Sequence, residues 1–179
     1  CPVTKVADVD FNVENINLCI DEAYDKEVKY LVFPELAVTS YTCGDLFLNS
    51  ALLNASINGM KNILEHSLYK DMLITIGAPH LHNNILYNCA YMIFNGKILG
   101  IVPKSYIPNY SEFYEKRWFT EGVNVIDETT SLPFQDNIPF GTNLIFAAGE
   151  TRFGVEVCED LWVTIPPSSY LSIAGANII

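Results

Sequence analysis

Apolar residues change their spacing along the chain, from helical in one stretch to continuous in the next. They recur every three or four positions from Val13 to Ala23, and either Asp10 or Asn12 can cap the helix that this spacing predicts. A continuous apolar run then fills residues 30–33 and stops at a proline, which is typical of a strand covered on both faces. Because helical and extended patterns alternate in this way, the chain is predicted to have an α/β fold.

The same alternation continues through the middle of the chain. Residues 45–69 are predicted to be largely helical, and residues 72–78 form the next apolar strand. Two further apolar runs flank Asn95 and Gly96, a pair that favours the tight type I′ turn of a β-hairpin. The second of these runs leads to Lys104.

The last third of the chain opens with a polar and aromatic segment, residues 103–124, which is too long for a simple turn and predicts a functional loop. Apolar runs on both sides of residues 149–151 predict another pair of strands. Two prolines, at 166 and 167, then open a short helix that ends near Gly175, and residues 177–179 resemble part of a strand.

Three polar residues share one position in this pattern. Glu35, Lys104 and Cys158 each lie at the end of an apolar strand or directly after it. In sheets covered by helices, strand ends are where side chains from distant parts of the sequence converge. We therefore expect these three side chains to lie close together.

Composition and charge narrow the possible partners. The 179 residues are 50% hydrophobic, which is enough to close one core as a single domain. The net charge of −11, from 21 acidic and 10 basic residues, repels nucleic acid and anionic lipids, so neither nucleic acid nor a membrane is expected as a partner. No apolar stretch approaches the ~20 residues of a membrane helix and no leader opens the chain, so a soluble protein is expected.

The spacing of the cysteines indicates the redox environment of the protein. All five are widely spaced, with no Cys-x-x-Cys pair, so a disulfide framework is not expected and a reducing, cytoplasmic location is favoured. Cys19 and Cys89 lie in apolar patterns and are predicted to be core residues, whereas Cys1 and Cys43 stay undecided. Cys158 differs from all of them, because two carboxylates follow it directly.

Three segments carry a family resemblance: FPELAVTSYTCGDLF at 33–47, PKSYIPNYSEFYEKRWF at 103–119 and VEVCEDLW at 155–162. In this order they resemble the catalytic segments of the nitrilase superfamily of carbon–nitrogen hydrolases, and most closely the glutamine-hydrolysing domains of glutamine-dependent NAD synthetases. The resemblance implies a nitrilase-like α-β-β-α sandwich of two mixed sheets flanked by helices. It also implies that residues 1–179 are a glutamine amidohydrolase domain incomplete at both ends, with the synthetase domain outside this chain.

The resemblance implies a catalytic triad of Glu35, Lys104 and Cys158, supported by Glu115 beside the lysine. The chemistry fits these residue types, because an amide is a poor electrophile and a free thiol, with a pKa of ~8.5, is mostly protonated at neutral pH. Glu35 would act as the base toward Cys158, and the charge of Lys104 would favour the thiolate and the oxyanion. Glutamine would be hydrolysed through a thioester, and no metal is required.

The resemblance also implies a glutamine pocket that contains Tyr110, Glu159 and Trp162. Glu159 would accept the α-ammonium group of the substrate, and the two aromatic residues would form a wall. No cofactor is expected in this domain. ATP and Mg²⁺ are expected in the synthetase domain of the same polypeptide, because this chain has no segment like an ATP-pyrophosphatase loop, and a homo-oligomer is expected.

Alternatives stay open at this point. The chain could be a free-standing amidase for another small amide, an N-terminal-nucleophile amidotransferase that uses Cys1, or an inactive scaffold domain. Taken singly, Glu35 could cap a helix, Lys104 could be an exposed charge and Cys158 could be a core residue. Glu115 could equally form a surface salt bridge with a neighbouring base.

Two histidines also need an interpretation. His80 and His82 would lie on one face of an extended segment, as in some metal sites, but no carboxylate or cysteine is adjacent to them. We therefore predict a solvated strand end there and no metal site.

Overall fold

The computed structural model describes residues 1–179. Its α-helices are α1 (Val9–Asp25), α2 (Ser50–His66) and α3 (Pro167–Ile173). Its strands are β1 (Tyr30–Val32), β2 (Leu73–His82), β3 (Ile85–Phe94), β4 (Lys97–Pro103), β5 (Glu128–Leu132), β6 (Gln135–Phe140), β7 (Phe146–Ala148) and β8 (Thr151–Phe153). Three short 3₁₀ helices lie at Gly44–Leu48, Glu115–Arg117 and Cys158–Trp162.

Two sheets form the centre of the molecule. The larger is a mixed, six-stranded sheet with the strand order β1-β2-β3-β4-β6-β5, in which β1 pairs with β2 and β4 with β6 in parallel. The smaller is the hairpin of β7 and β8, extended by one parallel bridge between Phe153 and Ile178. The α/β prediction is therefore confirmed.

The layers are stacked as helices, large sheet and small sheet. The helices α1 and α2 pack on one face of the large sheet, where Ile16 and Ile63 lie in the same core as Ile74. The opposite face packs against the small sheet through a second core, which includes Met92 and Phe146. Gly59 lets the two helices approach closely, because a Cβ atom there would lie 2.7 Å from Cγ1 of Val9.

The first helix forms as predicted, but the predicted caps are wrong. Asp8 is the N-cap, and its side chain accepts a hydrogen bond from the backbone N–H of Phe11 at 3.2 Å. Asp10 lies in the first turn. Asn12 is fully buried inside the helix, where its Nδ2 donates to the carbonyl oxygen of Val38.

The strand at 30–33 forms with packing on both faces, since Leu31 lies against the first core and Tyr30 against the second, but the cover on the second face ends before Val32. Strand β1 lies at the end of the large sheet and pairs within it only with β2. Val32 is 58% exposed. The continuous apolar run therefore describes a parallel strand at a sheet edge.

The middle of the chain follows the prediction with one interruption. The predicted helix at 45–69 is divided at Asn49, which ends the 3₁₀ helix and caps α2 by accepting a hydrogen bond from Ala51 at 2.8 Å. The hairpin turn forms as predicted, since Asn95 and Gly96 both have positive φ, at 43° and 76°. Strand β2 continues to His82, beyond the predicted end.

The last third contains one hairpin that the apolar pattern does not predict, formed by β5 and β6. The long loop after β4 is confirmed, with only the 3₁₀ turn Glu115–Arg117 inside it. The strand pair β7–β8 and helix α3 also form as predicted, although β8 ends at Phe153 and residues 154–157 continue outside any strand. None of the three α-helices combines the length and the apolar character that crossing a membrane would require.

Candidate active site

Lys104 follows the last residue of β4, and its side chain is completely buried. Its Nζ donates to Oε1 of Glu35 at 2.7 Å and to both oxygens of Glu115, at 2.9 and 3.0 Å. All three donor positions of the ammonium group are therefore used by carboxylates. The alternative of an exposed charge at position 104 is wrong.

The two carboxylates keep this buried lysine charged. Burial works to lower the pKa of Lys104, but the charges and hydrogen bonds of Glu35 and Glu115 outweigh it, and the pKa is raised. Lys104 is thus a fixed positive charge and cannot serve as a general base at neutral pH.

Glu115 comes from the 3₁₀ turn in the long loop and is only 2% exposed. Besides Lys104, it accepts a hydrogen bond from the hydroxyl of Tyr41 at 2.5 Å. Burial and Glu115 together raise the pKa of Tyr41, so the tyrosine remains a donor. The surface salt-bridge alternative for Glu115 is wrong.

The bases next to Glu115 have other partners. Lys116 pairs with Glu121 at 2.8 Å, and Arg117 pairs with Asp45 at 2.6 Å. Asp45 belongs to the 3₁₀ helix Gly44–Leu48, so the exposed Arg117 pair fastens the loop to the segment that carries Tyr41.

Cys158 begins the 3₁₀ helix Cys158–Trp162 and is exposed, so the alternative of a core cysteine is wrong. Its backbone has φ 48°, in the left-handed region that residues with a side chain rarely adopt. Non-glycine residues in this conformation cluster at functional sites, where the surrounding structure must hold them. The sharp turn brings the thiol out of the extended segment 154–157 and into the cleft beside Glu35.

Asp160 holds this turn. It is 1% exposed, and its carboxylate accepts backbone N–H groups of Val157 at 3.0 Å, Tyr106 at 2.8 Å and Ser105 at 3.3 Å. Ser105 and Tyr106 directly follow Lys104 in the sequence. One buried carboxylate therefore fastens the cysteine turn to the chain segment that begins at the lysine.

The thiol of Cys158 needs a base. Partial burial of the thiol in the cleft raises its pKa, the negative charge of Glu35 raises it further, and the charge of Lys104 works in the opposite direction. The sequence predicts that Lys104 favours the thiolate. The charge of Lys104 does lower the pKa of Cys158, but burial and Glu35 together raise this pKa by more. The thiol is thus protonated at neutral pH, next to a carboxylate that can accept its proton.

The cleft around these groups has a volume of about 270 Å³. Glu35 and Cys158 line it, together with Thr75 and Gly77 of β2 and the extended segment 154–157. A cavity of this size is just below the range of about 300–1,000 Å³ that is usual for small-molecule sites. The convergence of Glu35, Lys104 and Cys158 that the strand ends predict is present, while their catalytic roles stay predictions.

The predicted glutamine pocket is brought together in part. The hydroxyl of Tyr110 donates to Oε2 of Glu159 at 2.8 Å, and both residues lie beside the cysteine turn. Trp162 is 74% exposed and makes no hydrogen bond to either of them. The role of all three residues in binding substrate stays a prediction.

Three residues of the site were missed by the sequence reasoning: Tyr41, Asn88 and Asp160. Asn88 is 1% exposed on β3, and its Nδ2 donates to both glutamates of the site. A polar residue inside an apolar strand was the available signal for Asn88, and the second carboxylate after the cysteine was the signal for Asp160. Tyr41 had no signal of its own.

The other cysteines differ from Cys158. Cys89 is buried as predicted, and Cys19 is partly buried against the same core. Cys43 is also buried, and its S–H group donates to the carbonyl oxygen of Thr39 at 3.0 Å. Cys1 is exposed, and no hydrogen bond or ion pair connects it with the site.

The prediction of a solvated end at the two histidines is wrong. His80 is 2% exposed and lies between the hydroxyls of Tyr91 and Thr130, at 2.9 and 3.0 Å. His82 contacts the same Thr130 hydroxyl and pairs with Glu128. The reason is the unpredicted hairpin β5–β6, which covers this face of β2. No cluster of three or more His, Cys, Asp or Glu residues that could hold a metal ion is present.

The fold and the grouping of a cysteine, a lysine and two glutamates define the class of protein. The family model for carbon-nitrogen hydrolases matches residues 1–179, and the chain belongs to this family. It is 34% identical over 98% of its length to the glutamine-dependent NAD(+) synthetase of Mycobacterium tuberculosis, and 30% identical over 96% to that of Homo sapiens. The chain spans about a quarter of these relatives, 26% and 25% of their lengths.

Solved structures agree with the family. A glutamine-dependent NAD(+) synthetase from Cytophaga hutchinsonii superposes with a TM-score of 0.80 at 32% identity, covering 89% of this chain and 27% of that one. A nitrilase-superfamily amidase from Nesterenkonia superposes with a TM-score of 0.73 at 14% identity, covering 98% of this chain and 59% of that one. The second likeness is one of fold alone, and together they support the nitrilase-like sandwich.

Proposed function

We propose that this chain is the glutamine-hydrolysing part of a glutamine-dependent NAD synthetase. In this role it releases ammonia from glutamine, and the ammonia amidates deamido-NAD elsewhere in the same polypeptide. The observation that carries the proposal is the fully buried Lys104 between Glu35 and Glu115, beside the thiol of Cys158. The similarity to synthetases from bacteria and mammals over nearly the whole chain supports the choice of substrate.

The first half of the reaction forms a thioester. Glu35 accepts the proton of Cys158, and the sulfur attacks the side-chain amide carbon of glutamine. The charge of Lys104 and the backbone N–H of Glu159 stabilise the oxyanion of the tetrahedral intermediate. The C–N bond then breaks, Glu35 returns its proton to the leaving nitrogen, and ammonia departs.

The second half releases glutamate. A water molecule gives a proton to Glu35 while its oxygen attacks the thioester carbon. The C–S bond breaks, and the proton held by Glu35 returns to the sulfur of Cys158, which restores the starting state. Lys104 keeps its charge throughout, since its pKa is raised by the two glutamates that outweigh its burial.

The substrate is held by the surface outside the cysteine turn. Glu159 offers an acceptor for the α-ammonium group of glutamine, and the ring of Tyr110, fixed by its 2.8 Å hydrogen bond to Glu159, forms one wall. Trp162, exposed at the other end of the 3₁₀ helix, would complete the aromatic wall once substrate is present.

The remaining partners belong to the polypeptide as a whole. The curated relatives are about four times as long as the match, which leaves room for a synthetase domain in each of them. We place ATP and Mg²⁺ in that domain and assign no residue of this chain to either. A homo-oligomer in the cytoplasm, without nucleic acid or membrane partners, is part of the same proposal.

The test separates the source of ammonia from its use. In the full polypeptide, Cys158→Ala should abolish NAD formation from glutamine, ATP and deamido-NAD, yet retain it when ammonium chloride replaces glutamine. The reason is that free ammonia can react without a thioester at Cys158. Cys1→Ala, which removes another exposed cysteine, should retain both activities.

Other outcomes would contradict the proposal. Loss of both activities in a folded Cys158→Ala variant would mean that the cysteine is structural. Loss of the glutamine-dependent activity in Cys1→Ala alone would favour an N-terminal-nucleophile amidotransferase. If the unmutated polypeptide makes no NAD but hydrolyses another small amide, the chain belongs to a free-standing amidase.

A further inference from the structure

The amide of Asn88 lies between the two glutamates of the site. Its Nδ2 donates to Oε1 of Glu35 at 2.6 Å and to Oε2 of Glu115 at 3.3 Å. Its backbone oxygen accepts the N–H of Lys104 at 2.8 Å. One buried residue of β3 therefore contacts both carboxylates of the site through its side chain and the backbone of Lys104 through its own backbone.

The orientation of this amide follows from its partners. Carboxylates only accept hydrogen bonds, so the NH₂ end of Asn88 must face Glu35 and Glu115. The other end, Oδ1, is buried without any hydrogen-bond partner. Native structures rarely leave a buried polar atom unpaired, so this atom requires an explanation.

The hydrogen bonds divide the two oxygens of Glu35. Oε1 accepts from both Asn88 and Lys104, and neither of these donors reaches Oε2. Two donors on one oxygen fix the rotation of the carboxylate about its last bond. The free oxygen is thereby available to the thiol of Cys158.

We propose that Asn88 is a positioning residue that keeps Oε1 of Glu35 occupied and presents Oε2 to Cys158. This inference rests on the proposed function for its role in glutamine hydrolysis. The charged or titratable groups that face Glu35 are Lys104 from the end of β4, Glu115 from the loop, Cys158 from its turn and Tyr41. Asn88 is the neutral donor among them, so it can orient the base without adding charge.

Two substitutions in the full polypeptide separate this role from simple space filling. Asn88→Leu keeps the branched shape and the number of side-chain heavy atoms but has no donor, and should lower kcat for glutamine hydrolysis about tenfold or more while KM changes less than about twofold. The acid limb of the kcat/KM profile should move to higher pH, because the charged form of Glu35 loses a hydrogen bond. Asn88→Asp replaces the donor with a third carboxylate, and should reduce activity further at neutral pH and less at acid pH.

A second readout does not need glutamine. The rate at which iodoacetamide alkylates Cys158, followed by peptide mapping, should fall about tenfold at neutral pH in Asn88→Asp, because a further negative charge disfavours the thiolate. The matched control is Asn12→Leu, which removes another buried asparagine whose Nδ2 donates to backbone carbonyls. That variant should lose stability yet keep the wild-type kcat/KM profile and the wild-type alkylation rate.

Wild-type pH profiles and alkylation rates in the Asn88 variants would overturn the proposal. If Asn88→Leu fails to fold, the test uses the nearly isosteric Asn88→Asp by itself. A wild-type rate of Cys158 alkylation in that variant would also overturn the proposal. If the polypeptide has no glutaminase activity, the proposed function fails, while the alkylation rates still measure the effect of Asn88 on Cys158.

Discussion

Two buried polar networks lie on the large sheet, and they handle ionisable groups in opposite ways. At one, Lys104 is fully buried and charged, held by Glu35 and Glu115. At the other, His80 is 2% exposed and neutral, held by hydroxyl groups, and burial followed by the charge of His82 lowers its pKa to about 4. The first network includes Asn88 of β3, and the second joins His80 of β2 to Tyr91 of β3 and Thr130 of β5.

The difference lies in the counter-charges. Removing a charge from water costs several kcal/mol, and the interior retains it only where opposite charges and hydrogen bonds compensate. Lys104 has two carboxylates within 3.0 Å, whereas the neighbouring ionisable group that acts on His80 is another histidine. The first arrangement keeps a positive charge in a fixed place beside the reactive thiol. The second removes a charge and leaves a structural group.

The largest effect is expected from removing the charge at the first network. Lys104→Met leaves two carboxylates without a cation, so the free energy of unfolding should fall by ~3–5 kcal/mol. Glutamine hydrolysis should fall by a factor of ~10²–10³ or more, because the oxyanion loses its charged partner. Urea unfolding and a glutaminase assay on the full polypeptide measure the two changes.

The matched control is Lys116→Met, at a half-exposed lysine that pairs with Glu121 on the surface. It should change neither stability nor activity appreciably. Near-normal activity in Lys104→Met would mean that the buried charge is not needed for the reaction, and the contrast between the two networks would then concern stability alone.

The second network should make the free energy of unfolding depend on pH. In the folded protein the pKa of His80 is about 4, against 6.5 in the unfolded chain, so between these values only the unfolded state binds the proton. The free energy of unfolding should therefore decrease as the pH falls from 6.5 toward 4, by up to ~1.4 kcal/mol per pH unit from this residue. Above pH 6.5 this contribution to stability is fully present.

Urea unfolding at a series of pH values measures this slope. Because carboxylates titrate in the same range, the informative quantity is the difference between wild type and His80→Gln, which keeps hydrogen-bonding capacity but cannot titrate. Thr130→Val serves as the control, since it weakens the same network and retains the histidine. Equal slopes in wild type and His80→Gln would show that folding does not lower the pKa of His80.

The two networks were not equally visible in the sequence. In the sequence Glu35, Lys104 and Cys158 each follow an apolar run that predicts a strand, and strand ends converge by the geometry of a sheet, so their grouping could be inferred. His80 was misread because the hairpin that buries it, residues 128–140, has few apolar residues and short strands. Its partner Thr130 is 50 positions away, a contact that no local pattern encodes.

The same limit applies to the details of the site. The Asn88 amide reaches Glu35 across 53 positions, and Tyr41 reaches Glu115 across 74. Periodicity shows which face of a strand is apolar, but the pairing of two buried polar groups depends on how separate segments pack. Asp160 was closer to inference, because its bond to Val157 spans only three residues.

The smallest effect is expected at the outer edge of the second network. His82 pairs with Glu128 at 3.0 Å, but the glutamate side chain is 43% exposed, so water and salt screen the pair. Glu128→Gln should change the free energy of unfolding by less than ~1 kcal/mol.

Thr130→Val removes the hydroxyl that both histidines share. It should lower the free energy of unfolding by more, ~1–3 kcal/mol, because it leaves buried ring nitrogens unpaired. Urea unfolding of both variants at neutral pH decides the order. If Glu128→Gln lowers the free energy of unfolding by more than Thr130→Val does, a counter-charge stabilises the histidines as well. Both networks would then depend on paired charges.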